Sequence, residues 1–365
     1  MNIEYKNLAG QYPVFQNKVA GKKVAVVCDY NTAPFADEMI EKLRLSGSET
    51  IKIYFDDKDL IPDERVVDGT KAGAENADYL LAVGSGSLND VAKAVSTELK
   101  IPCGVLATAA SMDGYCSKGS ALMRGNFKVT VEVHTPEDVL IDPEIIRSAP
   151  KLMTASGFGD IVGKFTCLTD WETAHFVKGE PIHQKAYDMM KQARSDCMDA
   201  FEDLTAYKPQ AVSKLMDALI TAGLAMAECG NSRPASGSEH HISHFLEMDF
   251  VRRGERVPLH GVKVAIGTLV SIELYNYLKD NQIEFNGYKE VYKLVEKLPK
   301  VEEIRQMLVK MGCPIRFSQI GVRRETAQEA FRKAYTVRDR YTVLTLVNEL
   351  GLTEKVLPIL MEKYY

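Results

Sequence analysis

The chain has 365 residues, 45% of them hydrophobic and 26% charged, an ordinary composition for a soluble globular protein. Its net charge of −5 argues against a nucleic-acid partner, which needs a basic face, but leaves small anions open as ligands of local basic pockets. No apolar run approaches the roughly 18 residues of a membrane-spanning helix, and Met1-Asn2-Ile3-Glu4-Tyr5-Lys6 has no apolar signal core. The length exceeds the roughly 250 to 300 residues at which single cores stop growing, so two domains are expected. Seven cysteines without a C-x-x-C pair read as reduced thiols in a cytoplasm.

Taken in order, Val24-Ala25-Val26-Val27-Cys28, Ile51-Lys52-Ile53-Tyr54-Phe55, Tyr79-Leu80-Leu81-Ala82-Val83 and Gly104-Val105-Leu106-Ala107 read as strands. Helical patterns near 33–46, 63–76 and 87–98 separate them. That alternation predicts a doubly wound parallel sheet with helices on both faces. Phe127 to Val133 alternates apolar and polar side chains, so an exposed antiparallel strand is expected there, in a hairpin with the segment near Ser120-Ala121-Leu122. Asp142-Pro143 and Ala149-Pro150 then punctuate the chain, which places a boundary near residue 148 and gives an α/β domain over 1–148. Beyond it, 184–204, 209–228, 261–279, 287–296, 301–311, 325–335 and 340–349 carry apolar residues at three- and four-residue spacing. A helical domain over 149–365 follows, packed on the first with a cleft between them.

Four of the seven histidines fall between residues 240 and 260: His240, His241, His244 and His260. Neutral imidazole is the commonest metal ligand near neutral pH, and His240 and His244 stand one helical turn apart on a shared face. A metal site needs at least one further donor and, for catalysis, an open position. Asp160, Asp170, Glu239 and Glu247 are the anionic candidates. Asp160 stands out because Gly157 and Gly159 before it allow close approach at an expected helix start.

In Gly84-Ser85-Gly86-Ser87-Leu88-Asn89-Asp90 an apolar strand ends in a glycine-serine turn and a helix begins. Backbone amides there, with the positive helix end, suit a pyrophosphate. An ordinary strand-to-helix connection fits equally well, with Ser87 capping the helix and Asp90 completing a capping box. Asp29, past the first strand, could accept hydrogen bonds from an adenosine ribose and repel a 2′-phosphate, or simply hold a turn. Thr108, Ser111, Asp113 and Ser117 lie in the loop after the fourth strand, where open sheets meet ligands; a polar loop with local turn bonds is the alternative. Arg233 could pair with a substrate anion through its planar fork.

These motifs resemble sn-glycerol-1-phosphate dehydrogenases, within the larger group of iron-containing alcohol dehydrogenases, glycerol dehydrogenases and dehydroquinate synthases. The resemblance rests on Gly84 to Asp90, Thr108-Ala109-Ala110-Ser111-Met112-Asp113-Gly114, Gly157-Phe158-Gly159-Asp160, and Ser232 to His244 followed by His260. It covers essentially the whole chain. It implies a dinucleotide-binding α/β domain followed by a helical metal-binding domain, with the active site between them. Asp160, His240 and His260 would hold one divalent metal, and His244 and Asp113 would contact the substrate. Gly86 through Asp90 would carry the dinucleotide phosphates, with Thr108, Ser111 and Ser117 near its other end.

The iron enzymes place a further histidine four residues after the ligand aspartate, where this chain has Lys164. A three-residue ligand set is therefore expected, with zinc or nickel favoured over iron. The implied reaction is metal-assisted reduction of dihydroxyacetone phosphate to sn-glycerol 1-phosphate by NADH, with NADPH left open, as a step in phospholipid biosynthesis. Glycerol dehydrogenase and dehydroquinate-synthase-like lyase are the alternatives. The expected partner is a small phosphorylated substrate, without nucleic acid or membrane insertion, and a homo-oligomer is left open.

Overall fold

Strands buried on both faces need helices above and below, and the first part of the chain supplies them. The structure, a computed structural model, describes residues 1–125 and 127–365. In chain order the first elements are β1 (Asn2–Tyr5), α1 (Pro13–Val19), β2 (Lys23–Asp29), α2 (Ala33–Leu45), β3 (Glu49–Phe55), α3 (Glu64–Ala74) and β4 (Tyr79–Gly84). They continue with α4 (Gly86–Leu99), β5 (Cys103–Ala107), β6 (Gly119–Arg124), β7 (Phe127–Glu132), β8 (Asp138–Ile141) and α5 (Pro143–Ser148). Six strands form one parallel sheet in the order β1-β8-β5-β4-β2-β3.

Alternate residues of each strand serve opposite faces. Val24, Val26 and Cys28 of β2 and Tyr79, Leu81 and Val83 of β4 pack with Phe15, Val19, Met39, Ile40 and Leu43 from α1 and α2. On the other face, α4 packs on β4 and β5. Each fully buried Val or Leu contributes about 1.5–3 kcal/mol relative to exposure. A separate antiparallel pair, β6 and β7, sets Ser120 opposite Val131 and Leu122 opposite Val129, as the alternation after Phe127 leads one to expect.

The remaining elements are helical: α6 (Lys151–Val162), α7 (Lys164–Lys178), α8 (Gln184–Asp199), α9 (Phe201–Thr205), α10 (Pro209–Cys229) and α11 (Ser238–Arg252). After these come α12 (His260–Asp280), α13 (Tyr288–Val295), α14 (Val301–Lys310), α15 (Arg324–Lys333), α16 (Val343–Glu349) and α17 (Thr353–Tyr364). Two short 3₁₀ turns, Phe317–Ile320 and Ala334–Thr336, interrupt the later part. By contacts the chain forms two compact units. The first holds Met1–Ala110, Gly114–Pro150 and Tyr207–Ser213; the second holds Ser111–Asp113, Lys151–Ala206 and Lys214–Tyr365. The fold class is the expected one, a parallel α/β sheet and a helical part. Among the described residues, no helix is long and apolar enough to cross a membrane.

The sheet order positions a site in the first unit. β3 lies on one side of β2 and β4 on the other, so the chain reverses its direction across the sheet between β2 and β4. Open parallel sheets bind ligands at the carboxyl ends of the strands beside such a switch. Asp29 ends β2 and Gly84 ends β4.

Candidate metal and cofactor sites

In the second unit, two glycines bring the ligand-type side chains together. A Cβ on Gly159 would stand 2.5 Å from the Gly261 carbonyl oxygen and 2.8 Å from the Ala265 Cβ, and one on Gly261 would stand 1.8 Å from the Ser156 carbonyl oxygen. Without those carbons α6 and α12 cross backbone to backbone, which sets Asp160 beside His260. The Ser156 hydroxyl stitches the crossing, accepting the Gly261 N–H (3.1 Å) and donating to the Ser111 carbonyl (2.9 Å). Asp160 therefore lies in the last turn of α6 and not at a helix start. Gly159 gives the expected close approach, but within a helix crossing and not at a helix start.

Helix α11 carries the imidazoles of His240 and His244, one turn apart as expected. The His240 and His260 ring centroids are 5.1 Å apart, those of His244 and His260 5.9 Å, and those of His240 and His244 6.1 Å. One donor atom from each of Asp160, His240 and His260 lies within 4.8 Å of the other two. Two imidazoles and a carboxylate so arranged can hold a divalent cation. Burial, aided by the Lys164 charge, holds His240 well below the usual imidazole range. It is therefore neutral, the form that binds metal.

Two buried groups support the cluster. Lys164 donates to Asp113 Oδ2 (2.5 Å), Asp160 Oδ1 (2.9 Å) and the Ala235 carbonyl (3.0 Å). Burial works against its charge, but Asp113 and Asp160 outweigh burial and hold the ammonium protonated. Asp113 also turns its backbone N–H to Asp160 Oδ2 (3.0 Å); burial, then the Asp160 charge, raises its carboxyl above the usual range. The second group is Glu239. Its Oε1 lies 2.7 Å from His240 Nδ1 and accepts the Gly237 N–H (2.6 Å), while Oε2 accepts the Thr166 hydroxyl (2.6 Å). Burial and then Asp170 push the Glu239 carboxyl up to about 7.

The other candidates sit elsewhere. Asp170 takes the Tyr275 hydroxyl and the N–H groups of Ser238 and Val343. Glu247 stands 3.6 Å from His244 Nδ1 and 3.7 Å from Lys263 Nζ. His241 is buried. Arg233, offered to a substrate anion, instead grips Glu180 with Nε (2.7 Å) and Nη2 (3.1 Å) and donates to the carbonyls of Asp170 and Tyr341. Its Nε and Nη2 are committed to the scaffold.

In the first unit, the N-cap of α4 is Ser85, without a side-chain cap bond. Ser87 thus lies inside the helix and the expected capping box does not form. Asp90 instead accepts the Ala121 N–H (3.2 Å) and pairs with Lys93 (3.0 Å), and Asn89 donates to the Tyr115 carbonyl (3.3 Å). With no side-chain cap bond from Ser85, the leading amides of α4 suit an anion. Gly84 is required because a Cβ there would stand 2.5 Å from Leu88 Cδ1.

Asp29 Oδ1 accepts the N–H groups of Asn31 and Thr32 and the Thr32 hydroxyl, each at 2.9 Å, so it holds the turn into α2. Thr108 and Ser111 are buried, and the Ser117 hydroxyl lies 3.0 Å from the carbonyls of Gly114 and Gly119. A residue that sequence reasoning missed organises this loop. The fully buried Lys93 ammonium donates to the carbonyls of Gly114 (3.0 Å) and Gly119 (2.8 Å). Nothing in the sequence distinguishes it from a solvated helix lysine.

Known proteins resemble this chain over most of its length. The model of a family described as iron-containing alcohol dehydrogenase matches residues 5–150. Over 94% of the chain, and 86% of the relative's length, the sequence is 33% identical to a protein of Bacillus licheniformis named glycerol-1-phosphate dehydrogenase using NAD(P)+. The chain belongs to the glycerol-1-phosphate dehydrogenase family. A family member of the same name from Methanoregula boonei is 30% identical over 95% of the chain and 89% of its own length. A probable glycerol dehydrogenase from Sinorhizobium meliloti shares the fold with a TM-score of 0.71 at 17% identity, covering 99% of this chain and 97% of its own. An iron-containing alcohol dehydrogenase from Thermococcus thioreducens does so with a TM-score of 0.72 at 16% identity, covering 100% and 98%.

Proposed function

We propose that this member of the glycerol-1-phosphate dehydrogenase family is a metal-dependent oxidoreductase that reduces dihydroxyacetone phosphate to sn-glycerol 1-phosphate with NAD(P)H. The observation that carries the reading is the convergence of Asp160, His240 and His260 donor atoms within 4.8 Å, with the His244 ring beside them. The donor set fits a divalent ion. Three protein ligands leave a coordination position for substrate, and His240 is held neutral. Zinc or nickel is the ion we propose, since Lys164 takes the place of a fourth ligand. When bound, such an ion supplies Lewis-acid stabilisation of the negative charge that develops on a ketone oxygen during hydride transfer from the nicotinamide.

The chain's own residues do the rest. Lys164 holds Asp160 in place and prevents repulsion between Asp160 and Asp113. His244, one turn from His240, meets the substrate phosphate, and Asp113 completes the substrate contacts; binding energy from the phosphate end is used for positioning. The leading amides of α4 take the cofactor pyrophosphate, with Thr108, Ser111 and Ser117 toward its other end. Asp29 favours NADH by placing a negative charge where NADPH carries a phosphate. Seven free cysteines, six of them buried, support a cytoplasmic setting.

The test is nicotinamide oxidation by metal-reconstituted protein with dihydroxyacetone phosphate, with dihydroxyacetone, and without substrate. Turnover confined to the phosphorylated ketone is expected, with sn-glycerol 1-phosphate as product. Equal turnover of both ketones would make the protein a polyol dehydrogenase, and no net change in absorbance would favour a lyase that regenerates its NAD.

A further inference from the structure

We propose that Glu239 is a positioning residue for metal capture: it keeps the His240 proton on Nδ1 and so presents Nε2, unprotonated, to the cluster with Asp160 and His260. The inference rests on the metal reading above and adds to it a residue outside the ligand set.

The geometry is specific. His240 Nδ1 lies 2.7 Å from Glu239 Oε1, while His240 Nε2 lies 3.6 Å from Asp160 Oδ1. A neutral imidazole carries one proton, and a carboxylate at hydrogen-bond distance draws it to the nearer nitrogen. The other nitrogen then keeps its lone pair for a metal. Both Glu239 oxygens face donors: Gly237 N–H and His240 on one, the Thr166 hydroxyl on the other. The hydrogen bonds thus fix the carboxylate plane and with it the tilt of the His240 ring.

Three glycines from three segments clear the space that Glu239 occupies. A Cβ on Gly163 would stand 3.3 Å from Glu239 Cγ, one on Gly237 would stand 3.0 Å from its Oε2, and one on Gly267 would stand 2.7 Å from its carbonyl oxygen and 2.9 Å from its Cα. The carboxylate has no lysine or arginine within salt-bridge distance among the described residues; it faces the neutral His240 ring. A buried carboxylate without a cationic partner costs stability, and a cation held by His240 would offset that cost.

The experiment compares wild type, Glu239→Gln and Glu239→Leu. Zinc affinity is measured by chelator competition, the His240 tautomer by ring nitrogen resonances of metal-free, histidine-labelled protein, and stability by the thermal midpoint of the metal-free form. Glu239→Leu is expected to bind zinc about 10 to 100 times more weakly and to shift the His240 proton toward Nε2. Its metal-free midpoint should be unchanged or lower, because the Gly237 N–H and the Thr166 hydroxyl lose their acceptor. Glu239→Gln, which keeps an oxygen acceptor and the volume, should fall between and serves alone if the leucine variant does not fold.

Zinc affinity within about twofold of wild type in the folded variants, about 0.4 kcal/mol, would overturn the proposal. So would an unchanged Nδ1–H tautomer in Glu239→Leu, or in Glu239→Gln if that variant alone folds, together with unchanged affinity. A wild-type protein that binds no zinc or nickel would overturn the metal reading itself, which separates the two failures.

Discussion

Gly159 of α6 and Gly261 of α12 meet at the backbone, so close that a Cβ on the first would stand 2.5 Å from the carbonyl oxygen of the second. This contact holds Asp160 and His260, one residue beyond and one residue before the two glycines, in a single cluster. Gly261→Ala must push α12 off the Ser156 carbonyl, where the new carbon would lie at 1.8 Å. Overpacking of this kind costs typically about 1–3 kcal/mol. Urea unfolding should show that loss, and chelator competition should show weaker metal binding. Wild-type metal affinity in a destabilised Gly261→Ala protein would disconnect the crossing from the site.

His260→Ala removes a half-buried side chain of the proposed ligand set at the first position of α12, where truncation opens no core cavity. Metal and activity should disappear together while circular dichroism stays that of the wild type. Full metal occupancy by elemental analysis would remove His260 from the ligand set.

Lys164→Met leaves Asp113 and Asp160 facing one another without their shared cation. Removing one partner of a buried ion pair costs about 3–5 kcal/mol, and denaturant unfolding of the metal-free protein should register a loss of that order. Adding Asp113→Asn should return part of it. A loss below about 1 kcal/mol would mean that water reaches the site and screens the charges.

His244→Ala separates phosphate recognition from metal binding. Losing a hydrogen bond to a charged group costs about 1.5–3 kcal/mol, so the KM for dihydroxyacetone phosphate should rise roughly 10- to 100-fold, with a much smaller change for dihydroxyacetone. Metal content should stay at the wild-type level. Loss of metal would make His244 a ligand, and equal penalties on the two ketones would end its assignment to the phosphate.

The sequence showed the central strands because Tyr79 to Val83 and Val24 to Cys28 are apolar on both faces, and it showed α11 because His240 and His244 keep the helical interval. The strands β1 and β8 at one side of the sheet have four residues each, too few for a period to register. Helix α6 escaped for the opposite reason. From Thr154 to Val162 it is buried on every side, so it has no polar stripe to mark a turn, and its glycines imitate a helix start. Helix α17 contains Pro358, which reads as a terminator. At the site, residue types were legible and commitments were not: Arg233 could be seen to suit an anion, but only the fold shows that Glu180 is that anion. Lys93 and Glu239 owe their roles to burial, which no local pattern records.

The pairing of β1 with β8 bears on how the chain is made. Asn2 sits opposite Asp138 and Tyr5 opposite Ile141, a separation of 136 residues, whereas β2 and β3 are joined through a single helix. On the ribosome β2, β3, β4 and β5 can pair as they emerge, but β1 must wait for β8, and such non-local closure is slow. An unpaired strand invites association with other chains. Glu4 gives this one an occupation while it waits: its carboxylate accepts the N–H groups of Val14 and Phe15 at 2.8 Å each, tying β1 to the first turn of α1 through contacts only ten or eleven residues away in sequence.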